Sequence, residues 1–140
     1  MDHGLAATIL HVIGAGILIG IVFLSLVIAA KPNLQAEDIK WLKYIRSYGI
    51  YAAFLLLISG IYLAIDHWDH VAKNPLFWSK MALFLIDGFI AERIIAQKMN
   101  RVLASNNIDE DARRGLPLWT KVSALVIFSI VTIALFLANS

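Results

Sequence analysis

Four long runs of apolar residues constrain the fold of this chain more than any other feature of its sequence. They cover residues 5–30, 45–65, 76–91 and 118–138, and the third extends towards Met99. A helix needs about 20 residues to cross ~30 Å of hydrocarbon, and each run can supply them. The chain is 60% hydrophobic and only 16% charged, a composition typical of membrane proteins rather than of soluble domains.

We therefore predict an all-α integral membrane protein, folded as a single-domain four-helix bundle. Its helices are expected at about residues 5–30, 41–66, 76–99 and 117–138. Lys31-Pro32-Asn33 is expected to end the first helix, and the dipeptide Asn-Pro at 74–75 precedes the third. The chain has no cysteine, which excludes disulfides and thiol chemistry.

The distribution of lysine and arginine predicts how the bundle is oriented. The second loop carries Lys73 alone, whereas the first and third regions between helices carry Lys31, Lys40, Lys43, Arg46, Arg93, Lys98, Arg101, Arg113, Arg114 and Lys121. By the positive-inside rule, loops one and three are cytoplasmic, and both termini lie outside. The lipid bilayer is then the main partner of the chain, and no basic surface with interleaved aromatic residues indicates nucleic acid.

His11 is the single ionisable residue of the first apolar run. On a helical wheel it shares a face with small residues, among them Gly14 and Ala15, so a neighbouring helix or a flat cofactor can approach closely. Two interpretations stay open: a histidine hydrogen-bonded to another helix, or one that binds a ligand or handles protons. Gly16 and Gly20 form a GxxxG motif on the opposite side, which predicts a homodimer surface.

The third apolar run contains Lys80 and Asp87 on one helical face, about 10 Å apart along the axis. A charge inside hydrocarbon needs a partner or a wet cavity, so both are candidate site residues. Lys80 can instead extend to the outer headgroups beside Trp78, and Asp87 can instead be a hydrogen-bonded packing residue.

Tyrosines follow one side of the second helix, and histidines follow its outer end. Tyr62 is the tyrosine placed to contact a ligand, although interfacial tyrosines are common. His67 and His70 lie one helical turn apart and could present two imidazoles to a metal. His3 forms a copper or nickel chelate when it combines with a free amino terminus. The alternative is that these histidines are ordinary polar residues of an interfacial loop.

The candidate site residues of the first three helices are expected at similar depths in the membrane. The first and third helices run inward and place His11 and Lys80 in the outer half of the membrane, while the second helix brings Tyr62, His67 and His70 to a similar level. Helix bundles build cofactor sites from facing side chains. The sequence therefore predicts one polar pocket that opens to the outside.

The strings "LHVIGAGILIG" in the first helix, "SGIYLAI" in the second and Trp78-Ser79-Lys80 at the start of the third give the chain a resemblance to small bacterial membrane proteins. It resembles the HemJ-type protoporphyrinogen oxidases, the copper-resistance D-type membrane domains and their relatives. In the HemJ type a helix-1 histidine and a helix-3 lysine are functional and the protein is associated with haem, which would map onto His11 and Lys80. This resemblance implies a multi-pass protein of the bacterial inner membrane. The chain departs from the HemJ type where "DGFIAER" replaces the histidines expected late in the third helix.

These observations lead to three hypotheses. The first is a protein that binds haem b or a related porphyrin and acts in redox chemistry, a possible haem-linked oxidoreductase, with His11 as axial ligand, Gly14 and Ala15 admitting the ring, and Lys80, Tyr62 and Asp87 around it. The second is a copper-binding or copper-handling protein that uses His3, His67, His70 and His11; the third is a non-catalytic accessory subunit. No catalytic residue or electron partner is assigned, and motifs of hydrolases and nucleotide-binding proteins are missing from the sequence.

Overall fold

The computed structural model describes residues 2–139, and its regular elements are all helical, which confirms that the protein is all-α. The elements in chain order are α1 (His3–Ala29), α2 (Ala36–Ile65), the short α3 (Trp68–Val71), α4 (Pro75–Phe89), a π-helical segment (Ile90–Ile95), α5 (Ala96–Ser105) and α6 (Glu110–Ala138).

Three of these helices, α1, α2 and α6, are long and apolar enough to cross a membrane. The third predicted span, unlike the others, is divided into three helical segments. Its apolar part lies in α4, which has 15 residues, and the helical path continues without a break through the π-helical segment and α5. The chain is thus an all-α protein with three candidate membrane spans and a fourth, interrupted helical path.

Side-chain caps set several of the helix starts. Asn74 accepts a hydrogen bond from the backbone N of Leu76 at 3.0 Å, and Pro75 is the first residue of α4, as the Asn-Pro dipeptide predicts. Asp109 caps α6 in the same way, by accepting from the backbone N of Ala112 at 2.8 Å. This helix begins seven residues before the expected position 117, so Pro117 lies inside the helix instead of in its first turn.

The four long helical paths are antiparallel neighbours in the order α2, α1, α6, α4. In the described part of the chain, α2 and α4 do not pack against each other along their length, so this row of helices curves but does not close. α5 closes one end by packing against α2 and α6. This end carries the connections at residues 30–35 and 106–109, and we call it the basic end because lysines and arginines lie in and beside them, among them Lys31, Lys40, Arg101 and Arg113. The opposite end, with residues 66–74, contains His67 and His70, and we call it the histidine end.

The main hydrophobic core lies at the basic end. Its largest fully buried apolar side chains are those of Ile39, Leu42, Ile95 and Leu116. Nearer the middle of the bundle the buried contacts involve small side chains, including Ser25, Ser59, Thr120 and Ser123. Many large apolar side chains point outward, as expected for a protein whose solvent is lipid and whose helices approach closely through small residues.

Candidate ligand-binding cavity

A cavity of about 680 Å³ lies between α2 and α4, at the place where the row of helices does not close. Leu18 and Val22 of α1 and Ser123 of α6 form its back wall. Apolar side chains of α2 and α4, such as Phe54 and Phe84, line its sides. The cavity is therefore bounded by four helical paths and is accessible from the direction in which α2 and α4 leave a gap.

Charged side chains gather in the part of the cavity nearer the basic end. Arg46 lies on α2 and is half-buried, and Asp87 is half-buried on α4. The Arg46 guanidinium interacts electrostatically with the carboxylates of Asp87 and Glu92. Among residues 2–139 no ion pair within 4.0 Å joins Arg46 to either acid. The three charged groups thus face a shared space without closing it.

Ser123 fixes one side of the Asp87 carboxylate. Its hydroxyl Oγ donates a hydrogen bond to Asp87 Oδ1 at 2.5 Å, and Ser123 itself is 2% exposed. Hydrogen bonds to ionised acceptors are short and stronger than those between neutral groups. This bond joins α6 to α4 and holds the carboxylate at the cavity wall.

A second polar contact lies at the part of the cavity nearest the basic end. The exposed Lys43 ammonium donates to Asn100 Oδ1 at 2.9 Å, and both residues line the cavity. This contact links α2 to α5, which are the elements that close the bundle at this end.

The π-helical segment places Glu92 at the cavity. Residues five apart, such as Asp87 and Glu92, lie about 140° apart around a regular α-helix. The wider turn over Ile90–Ile95 changes this relation, and both acids line the same cavity. π-Helical turns inside α-helices occur frequently at functional sites.

His11 lies outside this cavity, closer to the histidine end, and contacts α2. Its Nδ1 is 3.0 Å from Ser59 Oγ. The Ser59 hydroxyl already donates to the Leu55 carbonyl at 2.6 Å, so we assign the proton of this contact to His11 Nδ1. In that tautomer Nε2 is the acceptor nitrogen of the ring. The ring also lies against Gly60, where an added Cβ would be 3.2 Å from His11 Cε1.

The structure brings some of the predicted site residues together and separates others. Lys80 lies within electrostatic range of His11, and its ammonium is 5.8 Å from the centroid of the Phe77 ring. Gly14 does not face open space: a Cβ at this position would be 3.1 Å from Leu56 Cγ. The small face beside His11 is thus covered by α2.

The remaining predicted residues lie in three different places. Asp87 lines the cavity. Ala15, which follows Gly14 on α1, is half-buried, and Tyr62 is exposed. The side chains of His3, His67 and His70 are exposed at the histidine end. Within residues 2–139, no three His, Cys, Asp or Glu side chains are placed to hold one metal ion. The metal site at these histidines and the homodimer surface at Gly16 and Gly20 stay predictions. Both glycines are exposed, and a Cβ added at either meets no atom within 4 Å.

Sequence reasoning missed the two charged residues that accompany Asp87. In the sequence analysis, Arg46 counts with the basic first loop, and Glu92 is not among the candidate residues. A signal existed for Arg46, because it is the second residue of the apolar run at 45–65. Glu92 gave no comparable signal, since its direction depends on the π-helical turn.

The helical architecture and the cavity define an all-α integral membrane protein with a polar site inside its apolar bundle. The chain belongs to the family described as "Predicted membrane protein (DUF2214)", which matches residues 4–140. No curated protein and no solved structure matches the chain.

Proposed function

We propose that this protein binds a lipid-soluble small molecule in the cavity between α2 and α4, and that the molecule reaches the cavity from the bilayer. One observation carries the proposal: the cavity lies at the gap where, among the described helices, α2 and α4 leave the row open. A molecule dissolved in the bilayer can pass through such a gap without crossing a polar surface.

The size and lining of the cavity support this function. Small-molecule sites typically have volumes of about 300–1,000 Å³ and combine a mostly apolar wall with a few polar groups. The cavity of about 680 Å³ has this composition: apolar side chains such as Leu57 and Phe84 lie on its walls, and Arg46 and Asp87 supply polar contacts. Its occupant would therefore have a large apolar body and one polar end.

The proposal includes the position of the protein in a bacterial inner membrane. We propose that the helical path from Pro75 to Ser105 is the fourth span and that both termini are periplasmic. Lysine and arginine residues lie in and beside the connections at 30–35 and 106–109, among them Lys31, Lys40, Arg101 and Arg113. They support this orientation, since lysine and arginine are enriched in cytoplasmic loops.

A second candidate function is the binding of haem b or a related porphyrin at His11, with a redox role. The specific observation that favours it is the contact with Ser59, which engages Nδ1 and leaves Nε2 for a metal, an arrangement common among metal-ligating histidines. Lys80, which interacts electrostatically with His11, would bind a propionate. When bound, haem would supply one-electron chemistry.

The test of the first proposal uses a residue that lines the cavity but leaves space for a side chain. Gly88 lines the cavity, and a Cβ there meets no atom within 4 Å. We expect Gly88→Leu to occupy part of the cavity and obstruct a ligand there without disturbing the packing of helices. Gly20→Leu is the matched control, because Gly20 has equal free space and does not line the cavity.

The three proteins are purified in mild detergent, extracted with organic solvent, and the extracts compared by mass spectrometry. We expect a lipid-soluble compound that co-purifies with the wild type and Gly20→Leu and is depleted in Gly88→Leu. Equal amounts in all three proteins would contradict the proposal.

Absorption spectra of the same samples test the second candidate. A Soret band that is lost in His11→Ala and kept in Gly88→Leu would support a haem at His11. Metal analysis of the preparations distinguishes copper, for which His3, His67 and His70 are the proposed ligands. A colourless protein without metal would contradict both cofactor proposals.

A further inference from the structure

We propose that the cavity between α2 and α4 selects a ligand whose polar end is electrically neutral and carries both a hydrogen-bond donor and an acceptor. Phenols, quinols and long-chain alcohols have this chemistry. The inference rests on the proposed function, and it adds the class of head group that the cavity recognises.

The first step is the charge balance of the cavity. Its half-buried charged groups are one guanidinium, Arg46, and one carboxylate, Asp87, whose formal charges cancel. The exposed charged groups that line it are Lys43 and Glu92, and their formal charges cancel as well. A charged head group would leave one charge without a counterion in a poorly solvated site, which is costly. A neutral head group leaves the balance intact.

The second step is the hydrogen-bonding character of the two half-buried groups. The proposal takes Asp87 as ionised opposite Arg46; a guanidinium only donates and an ionised carboxylate only accepts. Arg46 and Asp87 interact electrostatically, yet no direct ion pair joins them in the described chain. A hydroxyl placed between them can accept from Arg46 and donate to Asp87. A pure hydrocarbon end would leave both groups without this partner.

The third step is the fixed position of the acceptor. Ser123 holds Oδ1 of Asp87, so the carboxylate cannot turn freely towards Arg46. The gap between the two groups is thus maintained by a contact on the far side of the carboxylate. The apolar part of the cavity, near Phe54 and Phe84, would hold the tail of the same ligand.

Three probes of similar chain length test the inference: 4-dodecylphenol and dodecylammonium each have a twelve-carbon tail, and dodecanoate has an eleven-carbon tail on its carboxylate. Each probe, carrying an isotope label, is equilibrated with full-length protein in lipid nanodiscs, and empty nanodiscs give the background. We expect the wild type to bind dodecylphenol about 10-fold more tightly than either charged probe. Gly88→Leu should weaken the binding of all three, and Gly20→Leu should not.

Variants that change the charge balance should change the preference in opposite directions. Arg46→Gln leaves an excess of negative charge, so we expect dodecylammonium to become the preferred probe. Asp87→Asn leaves an excess of positive charge and should favour dodecanoate. The double variant Arg46→Gln/Asp87→Asn restores neutrality and should again prefer dodecylphenol. If Asp87→Asn does not fold, substitution of the exposed Glu92 by Gln replaces it. Glu92→Gln also leaves an excess of positive charge and should shift the preference towards dodecanoate.

The outcomes separate this inference from the proposed function. Equal binding of the three probes that is reduced by Gly88→Leu would overturn the head-group inference and leave the cavity as a ligand site. The head-group inference is likewise overturned if Arg46→Gln and Asp87→Asn leave the order of the three binding affinities unchanged. If no probe binds above the empty-nanodisc background, both proposals are contradicted.

Discussion

The contact between Gly60 and His11 leads to a quantitative prediction about the position of the imidazole. An alanine Cβ at Gly60 would be 3.2 Å from His11 Cε1 and 3.6 Å from Nδ1, so the ring must move by a few tenths of an ångström. Gly49 is the matched control on the same helix. A Cβ there would be 3.8 Å from Ile21 Cγ2, an ordinary van der Waals contact.

The expected difference follows from the hydrogen bond that the ring makes. Both substitutions gain about 0.8–1.0 kcal/mol of helix propensity, and this gain cancels when the two variants are compared. Gly60→Ala in addition strains the contact between His11 Nδ1 and Ser59 Oγ, whose net contribution is about 0.5–1.5 kcal/mol. We therefore expect the free energy of unfolding of Gly60→Ala to be about 1 kcal/mol lower than that of Gly49→Ala.

Unfolding by SDS in mixed micelles, followed by circular dichroism, measures both free energies. In a Ser59→Ala background the hydrogen bond is already lost, so the difference between the two glycine variants should shrink. The reasoning is refuted if Gly60→Ala and Gly49→Ala are equally stable, or if Ser59→Ala leaves their difference unchanged.

Three further predictions concern other parts of the molecule. Ser25 is fully buried and its hydroxyl has no hydrogen-bond partner among the described residues, so Ser25→Ala should raise the free energy of SDS unfolding by about 1 kcal/mol; a decrease would contradict this assignment. A double-mutant cycle of Ser123→Ala and Asp87→Asn should give a coupling of about 1–2 kcal/mol in the same assay, and additive effects would mean that their hydrogen bond adds no stability. Because the chain has no cysteine, His67→Cys and Asn106→Cys provide unique labelling sites. A membrane-impermeant maleimide added to the outside of intact cells should label the first and not the second, and labelling of both or neither would contradict the proposed orientation.

The helices could be predicted from sequence because hydropathy and helix caps are local signals. The Asn-Pro dipeptide marks the start of α4, and Ala29 ends α1 just before the Lys31-Pro32-Asn33 turn, as expected. The start of α6 was predicted too late because its first residues are polar. Asp109 is a helix cap, and Glu110 and Asp111 stabilise the helix start by interacting with the positive end of the helix dipole. Hydropathy alone does not predict a helix in this polar segment.

The candidate site was harder to predict, because it depends on contacts between distant parts of the chain. His11 stood out as a polar residue in an apolar run, but the packing that covers Gly14 with Leu56 has no signal in the first helix alone. Asp87 stood out in the same way. Its relation to Arg46 depends on the gap between α2 and α4, which a helical wheel does not contain.

The π-helical segment at Ile90–Ile95 has a consequence for how this family can vary in length. Asp87 faces the cavity before the segment, and Val102 is buried in the hydrophobic core after it. Deleting one residue from the segment would tighten the wide turn and rotate one side against the other by about 100°. The cavity face and the core face would then compete for the same helix orientation, so a single-residue deletion here should be tolerated less well than one in the connection at residues 106–109.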